Sequence, residues 1–409
     1  MAAKPNKVFV CYIPGLDRRR ITSEITPYIA QALQRRPWAK INTLPSAELL
    51  SSLVSGQRPD QHGIWQARLK RNAAASFSDR VADSLPEFLT VAAQLVRHRL
   101  FHDCELPTMP PWRRRHLEFA RLKFFGHASS DDLRRRLNGA VSLFDVVGWG
   151  DARYRFTDRF ADRRKIFSKL GLGDVSLDML QFHALDMLGH WHPGTSEGSG
   201  PVYRETDAFV RSLSEKCKAA DIEFVLVSDH GQETVGGSID LKASLQELDL
   251  PKTDYAYFVQ PAAARFWFHT QRARSAIIDS LSRTANGTLL SYRDLAQYGV
   301  AFEDGAFGET YFVPDPGFIL FPHDFHHPLA NLYMGLSDPQ QRDRLKSPRQ
   351  VAYHGYLPTN ECEKGFMILF GQKHSLKNSE ISLLDVAPTL LAMVKCEAPS
   401  EMVGQVQID

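Results

Sequence analysis

Ile222-Glu223-Phe224-Val225-Leu226-Val227 runs directly into Ser228-Asp229-His230-Gly231. A nearly unbroken apolar hexad reads as a strand buried on both faces, the kind found in parallel sheets. The polar tetrad then falls at the carboxyl end of that strand, where ligands gather in open α/β sheets. Upstream, Tyr203 to Ala220 reads as a helix and Val175 to Ala184 as a second buried strand. Strand, helix, strand in that order predicts a parallel α/β sheet.

The same grammar extends outward. Val8 to Ile13 reads as a buried first strand, ended by Pro14-Gly15, with a helix over about Thr22 to Arg35. Lys40 to Leu44 reads as a short strand, and Phe366 to Phe370 as a late core strand. After Pro45, Ser46 opens an apolar-periodic helix: Leu49, Leu50, Leu53 and Val54 fall at helical spacing, and Gly56 with Arg58-Pro59 supplies the stop. Leu383 to Val394 reads as a final helix.

Two segments interrupt this core. Residues 66–170 are mostly helical in pattern, broken by Pro107, Pro110 and Pro111, and hold 21 Lys plus Arg against 12 Asp plus Glu, in a chain whose net charge is only +2. Such a basic excess fits either anionic substrates or solvated helix faces. Residues 241–345 mix short strands and a helix, and read as a second cap. The expected organisation is core over 1–65, basic insertion over 66–170, core over 171–240, α+β cap over 241–345 and core over 346–409. A chain of 409 residues has room for a large core with such insertions.

Composition narrows the setting. Cys11, Cys104, Cys217, Cys362 and Cys396 are scattered, odd in number and form no C-x-x-C pair. That argues for reduced thiols and a cytoplasmic setting, against a disulfide framework or a cysteine zinc site. The Val8 to Ile13 run is too short for a signal-peptide core or a membrane span. No partner of membrane or specific nucleic-acid type is expected.

The chemistry clusters at strand ends. Asp186 and His190 follow one buried strand, Asp229 and His230 another, and His354-Gly355 precedes a third. Asp and His supply the oxygen and nitrogen ligands that zinc accepts, and an Asp-His pair just past an apolar strand is poorly explained by packing. Ser46 stands at a helix N-terminus, where N–H groups and the helix dipole favour phosphate; a plain N-cap serine is the simpler account of it alone.

Together these residues resemble the alkaline phosphatase superfamily, in particular type I phosphodiesterases and nucleotide pyrophosphatases. Ser46 and the run to Gly56, followed by P-D-Q-H-G-I at Pro59 to Ile64, resembles the nucleophile helix and the segment after it. D-M-L-G-H at Asp186 to His190, S-D-H-G at Ser228 to Gly231, H-G-Y at His354 to Tyr356 and L-L-D-V-A-P-T-L-L at Leu383 to Leu391 resemble the family's later segments, in its order. The resemblance implies an α/β fold of the alkaline phosphatase type, with a mostly parallel central sheet flanked by helices and two inserted caps. It implies two divalent ions, usually zinc, with manganese or iron also accepted by such donors. Asp186, His190 and His354 would hold one ion; Asp229, His230 and the nucleophile Ser46 would face the other. The implied reaction is hydrolysis of a phosphodiester or nucleotide pyrophosphate bond through a phosphoryl- or nucleotidyl-serine. The substrate would be a small phosphorylated compound, nucleotides included. A phosphomonoesterase with the same metals, and a degenerate phosphate-binding member without turnover, are the alternatives.

Three departures qualify the match. Where the family has Asp after the first strand this chain has Pro14, which has no ligand atom; Asp17, three residues on, is the candidate replacement. Leu49 stands where the phosphodiesterases carry an Asn, with Glu48 beside it. Pro193 follows His192 without the usual G-P. Among other candidates, His326-His327 near Asp324 reads as a substrate-side or surface pair, Arg113 to Arg115 and Arg134 to Arg136 as runs that could meet substrate phosphates but are more often solvated, Phe266-Trp267-Phe268 as a cap strand, and Asp385 as a helix-start residue.

Overall fold

The computed structural model describes residues 6–45, 49–65, 67–69, 77, 80–81, 84–101, 109, 111–114, 116–119, 130–137, 139–157, 159, 162–168, 170–191, 200–337, 339–347 and 349–409. Its centre is a sheet of 7 strands in the spatial order Glu380–Ser382, Trp38–Asn42, Gly365–Leu369, Glu223–Ser228, Val8–Tyr12, Leu177–Phe182 and Ala152–Thr157. The last four strands in that order run parallel to one another, and Gly365–Leu369 is antiparallel to both of its neighbours. This is the expected mostly parallel α/β sheet.

Alternation along the first strand explains why the sheet is covered twice. Val8, Val10 and Tyr12 enter one apolar cluster, with the helices Leu50–Ser55, Leu143–Val147 and Val386–Met393. Phe9 and Cys11, with Ile13 just beyond, enter the other, with Pro27–Arg35 and Gly200–Ala219. Successive side chains of a strand point to opposite faces, so a run that is apolar at every position needs a helical layer on each side. Each fully buried Val, Leu or Phe contributes about 1.5–3 kcal/mol of transfer free energy.

The chain end locks one layer. Asp385 accepts hydrogen bonds from Ser382 N (2.9 Å), Gln405 N (2.7 Å) and Gln407 Nε2 (3.0 Å). A Cβ at Gly404 would stand 1.9 Å from the Leu384 carbonyl oxygen, so only glycine lets the tail lie there. The L-L-D-V-A-P signature is therefore structural, as its Asp was read to be.

Several boundaries differ from the sequence reading. The first helix starts at Pro27, not near Thr22, because proline suits a helix's first position. Ala152–Thr157, inside a segment read as mostly helical, is the edge strand of the main sheet; its burial alternates, a weaker signal than an unbroken apolar run. Between residues 255 and 314 lies a separate antiparallel sheet of 4 strands, in which Phe266, Trp267 and Phe268 belong to the strand Ala264–Phe268. No helix among the described residues is long and apolar enough to cross a membrane.

Candidate metal centre

The parallel strands Val8–Tyr12, Leu177–Phe182 and Glu223–Ser228 end on the same edge of the sheet, and the polar motifs meet there. Asp186 sits in the short helix Ala184–Gly189, with His183 before it and His190 after. Asp229 and His230 follow their strand directly. His354 arrives from the far end of the chain, where Ala352–Tyr353 pairs with Glu233–Thr234 and Val351 N donates to His190 O (2.9 Å).

The ligand atoms converge. Asp186 Oδ1 lies 3.6 Å from His190 Nε2 and 3.5 Å from His354 Nε2, and Asp186 Oδ2 lies 3.6 Å from His183 Nε2. His230 Nε2 is 3.5 Å from Asp229 Oδ1, and the His230 and His354 rings stack with centroids 3.7 Å apart. One donor atom each from Asp186, His230 and His354 falls within 4.8 Å of the others, and all three residues are buried.

Backbone carbonyls prepare two of the imidazoles. His190 Nδ1–H donates to Ala352 O (3.0 Å) and His230 Nδ1–H to Gly231 O (2.8 Å). Those tautomers are assigned from the hydrogen-bond network, and they leave each Nε2 lone pair facing a carboxylate, the arrangement that orients histidine toward a metal. Buried orphans remain: Asp229 Oδ1 and His354 Nδ1 have no hydrogen-bond partner. Burying unpaired polar atoms costs about 1–3 kcal/mol each, so this donor set fits a cation with nitrogen and oxygen ligands.

The charge states suit ligation as well. Burial works against the charge on Asp186, yet the imidazoles of His354, His190, His183 and His230 hold its carboxyl well below the usual range. Burial first, then His230, holds His354 far below the ordinary histidine value, and burial likewise lowers His190. An ionised aspartate beside neutral imidazoles is the ligating combination. His230 is raised: burial lowers it, but Asp229, Asp186 and Glu363 outweigh burial.

Some supporting residues carried no sequence signal of their own. Gln232 Nε2 donates to Asp186 Oδ1 (2.6 Å) and Asp186 O (3.0 Å), and Tyr12 OH donates to Asp229 Oδ2 (2.5 Å). Gly15, at φ +73°, passes so close that a Cβ there would sit 3.0 Å from Asp186 Cα. His183, three residues before Asp186, was legible in spacing; the others depend on contacts more than 45 residues distant.

Asp17 does not join this cluster. Its buried carboxylate accepts from Arg19 Nη2 (2.7 Å), Arg19 N (2.9 Å) and Gln232 N (3.3 Å), and Arg20 Nε is 3.7 Å away. The two arginines compensate its charge, so the expectation that Asp17 replaces the carboxylate missing at Pro14 has no geometric support. Ser46 and Glu48 lie outside the described residues, as do His192 and Pro193. Leu49 is 2% exposed, within the apolar core. The helix that Ser46 was read to open is described from Leu50 to Ser55, and His62 Nε2 meets Ser52 Oγ at 2.9 Å.

Other sequence candidates go elsewhere. Arg113, read as solvated, is 2% exposed, paired with Asp324 and stacked 4.1 Å over the Tyr257 ring. Asp324 also receives Lys242 Nζ (2.8 Å) and Val259 N (2.7 Å). His326 Nδ1 lies 3.2 Å from Asn331 Nδ2. A narrow cleft, about 30 Å³ in volume, lies between the metal motifs and the 4-stranded sheet; Pro45, Trp65, Arg265, Tyr311, Tyr353 and Gly355 are among its walls.

Comparison with known proteins gives the fold and the family. No curated protein matches the chain in sequence. Among solved structures, human ectonucleotide pyrophosphatase / phosphodiesterase 5 is similar, with a TM-score of 0.59 at 16% identity over 96% of each chain. The inactive murine form of that protein, in complex with AMP, has a TM-score of 0.58 at 15% identity, again over 96% of each chain. The family described as Type I phosphodiesterase / nucleotide pyrophosphatase matches residues 19–289. That span is more than half of the chain, which belongs to the type I phosphodiesterase / nucleotide pyrophosphatase family.

Proposed function

We propose that this chain hydrolyses phosphodiester or nucleotide pyrophosphate bonds with Ser46 as nucleophile, beside two divalent ions, zinc foremost. The convergence of Asp186, His230 and His354 carries the reading. Asp186, His190 and His354 would hold one ion; Asp229 and His230 would hold the other, next to Ser46. Bound there, the ions would supply Lewis-acid stabilisation of developing oxyanion charge and lower the pKa of a hydroxyl or water.

The chain's own residues do the rest. Ser46 Oγ forms a bond to phosphorus as the bond to the leaving oxygen breaks, giving a phosphoryl- or nucleotidyl-serine. The leaving group takes up a proton, and water then restores the serine with release of the phosphoryl product. Pro45, next to Ser46, and Tyr353 and Gly355, on either side of His354, line the same cleft, so the substrate's esterifying group would lie against the 4-stranded sheet. Trp65, Tyr311 and Tyr353 line this cleft, and the AMP complex of the murine relative supports a nucleotide. On this reading residues 241–345 form a cap over the site.

We also place the protein in the cytoplasm. Cys11, Cys217 and Cys362 are buried free thiols, and burial pushes Cys217 up to about 12. Pro14 and Leu49 keep one rival alive, a binder of phosphorylated ligands without turnover. Ser46→Ala separates the two readings. An enzyme loses at least a thousandfold in kcat on a chromogenic diester, whereas an unchanged background rate in both forms would establish the binder. Side-by-side rates on a chromogenic mono- and diester separate a phosphodiesterase from a phosphomonoesterase.

A further inference from the structure

We propose that Glu363 supplies a carboxylate ligand to the metal site formed by Asp229 and His230, in place of the one that Pro14 cannot provide. This rests on the two-ion reading above.

Register places Glu363 there. The strand Gly365–Leu369 runs antiparallel to Glu223–Ser228, with Phe366 opposite Ser228, so its start lies beside Asp229 and His230. A Cβ at Gly365 would stand 2.1 Å from Ser228 O and 2.7 Å from Asp229 O, which shows how closely the two segments approach. Gly231 N donates to Cys362 O (2.7 Å), one residue from Glu363. On the other side, Thr43 Oγ1 donates to Glu363 O (2.8 Å), three residues before Ser46. Glu363 therefore sits between the Asp229-His230 loop and Thr43.

The side chain is half used. Oε1 accepts from Gly355 N (2.8 Å) and Tyr356 N (3.0 Å), directly after His354. Oε2 is buried and has no hydrogen-bond partner, in a residue 1% exposed. A glutamine would serve the turn through one oxygen equally well, so the turn does not require an acid. No lysine or arginine pairs with Asp186, Asp229 or Glu363 among the described residues; the ion-pair partners of Asp186 and Asp229 are histidines, with Gln232 and Tyr12 as neutral donors. A buried carboxylate without a cation is strongly disfavoured. Three carboxylates near imidazoles, with no lysine or arginine paired to them among the described residues, match the donor set of two divalent ions. Asp229 Oδ1 is the other unpartnered carboxylate oxygen at this site. Asp17 does not compete, because its oxygens are taken by Arg19 and Gln232.

The test is zinc stoichiometry on the full chain. Metal-free protein is titrated with zinc alone and followed by calorimetry and elemental analysis. Wild type is expected to bind two ions and Glu363→Gln one, with the metal-free melting temperature retained because the amide oxygen keeps the turn. Asp186→Ala should remove the remaining ion. Adding Pro14→Asp to Glu363→Gln should bring the second ion back. Two ions in Glu363→Gln, or a single wild-type ion lost only with Asp186→Ala, would overturn the role of Glu363 while leaving a metal hydrolase in place. No ion in wild type would overturn both. If Glu363→Gln fails to fold, Glu363→Asp provides the second measurement: at least tenfold weaker zinc binding at one site is expected, and unchanged binding refutes the proposal.

Discussion

The two halves of the metal centre are built differently. On the Asp186 side, Asp186 Oδ1 lies 3.6 Å from His190 Nε2 and 3.5 Å from His354 Nε2, and contacts from Gln232 and the Ala352 carbonyl orient Asp186 and His190. On the Asp229 side, the first strand ends in Pro14, Asp17 has turned away to Arg19 and Arg20, and Tyr12 braces Asp229. On the proposal above, a metal site stays complete where several motifs meet and is rebuilt where one has been lost. A missing carboxylate leaves its partners' charges in place, so any buried acid at the right distance can answer them.

This contrast can be broken most severely at Asp186. Asp186→Ala removes the carboxylate toward which three histidines point, and kcat/KM on a diester should fall roughly a thousandfold or more. Bound metal, read by elemental analysis, should drop with it. If metal and rate both survive, the Asp186 side is not the primary site.

Acid should weaken the side that carries the helix Leu50–Ser55. Burial holds His62 down to about 4, and its Nδ1 accepts from Ile64 N (3.1 Å) while Nε2 meets Ser52. An unfolded histidine titrates near 6.5, so the unfolded chain takes up this proton first. The contribution of His62 is therefore complete above about pH 6.5 and is lost as pH falls toward about 4, roughly 3 kcal/mol in all. Urea unfolding of metal-free protein at pH 7 and pH 4.5 should show a smaller acid loss in His62→Asn than in wild type. An equal loss would mean that His62 is protonated in the fold.

The mildest probe concerns Tyr12. Tyr12→Phe deletes the hydroxyl that donates to Asp229 Oδ2 and leaves the ring in the core. Loss of a partner that orients a ligand weakens metal affinity about 10–100-fold, and the loss should fall on the second ion titrated. Equal weakening of both ions would show that the two halves are not separate.

The sheet was legible because its signals are local. Unbroken apolar runs such as Val225-Leu226-Val227 report burial on two faces, and helical spacing in Leu49, Leu50, Leu53 and Val54 reports one buried stripe. The edge strand Ala152–Thr157 escaped because a strand covered on one side alternates and is dotted with arginine. Arg113 was misjudged for a related reason: a run of arginines looks solvated until a partner such as Asp324, 211 residues away, is placed against it.

By itself, the sequence determined the α/β order and the Asp-His pairs past the strand ends, since both are written within a few neighbouring residues. Only the tertiary structure decided which acids face the centre. Asp17 and Glu363 are both single acids near a motif, and no local pattern distinguishes them. One meets two arginines that compensate its charge, while the other is buried with one oxygen bound to the Gly355 and Tyr356 amides and the other without a hydrogen-bond partner. Charge compensation depends on what the fold brings within a few ångströms, and that is set by strand register and not by spacing along the chain.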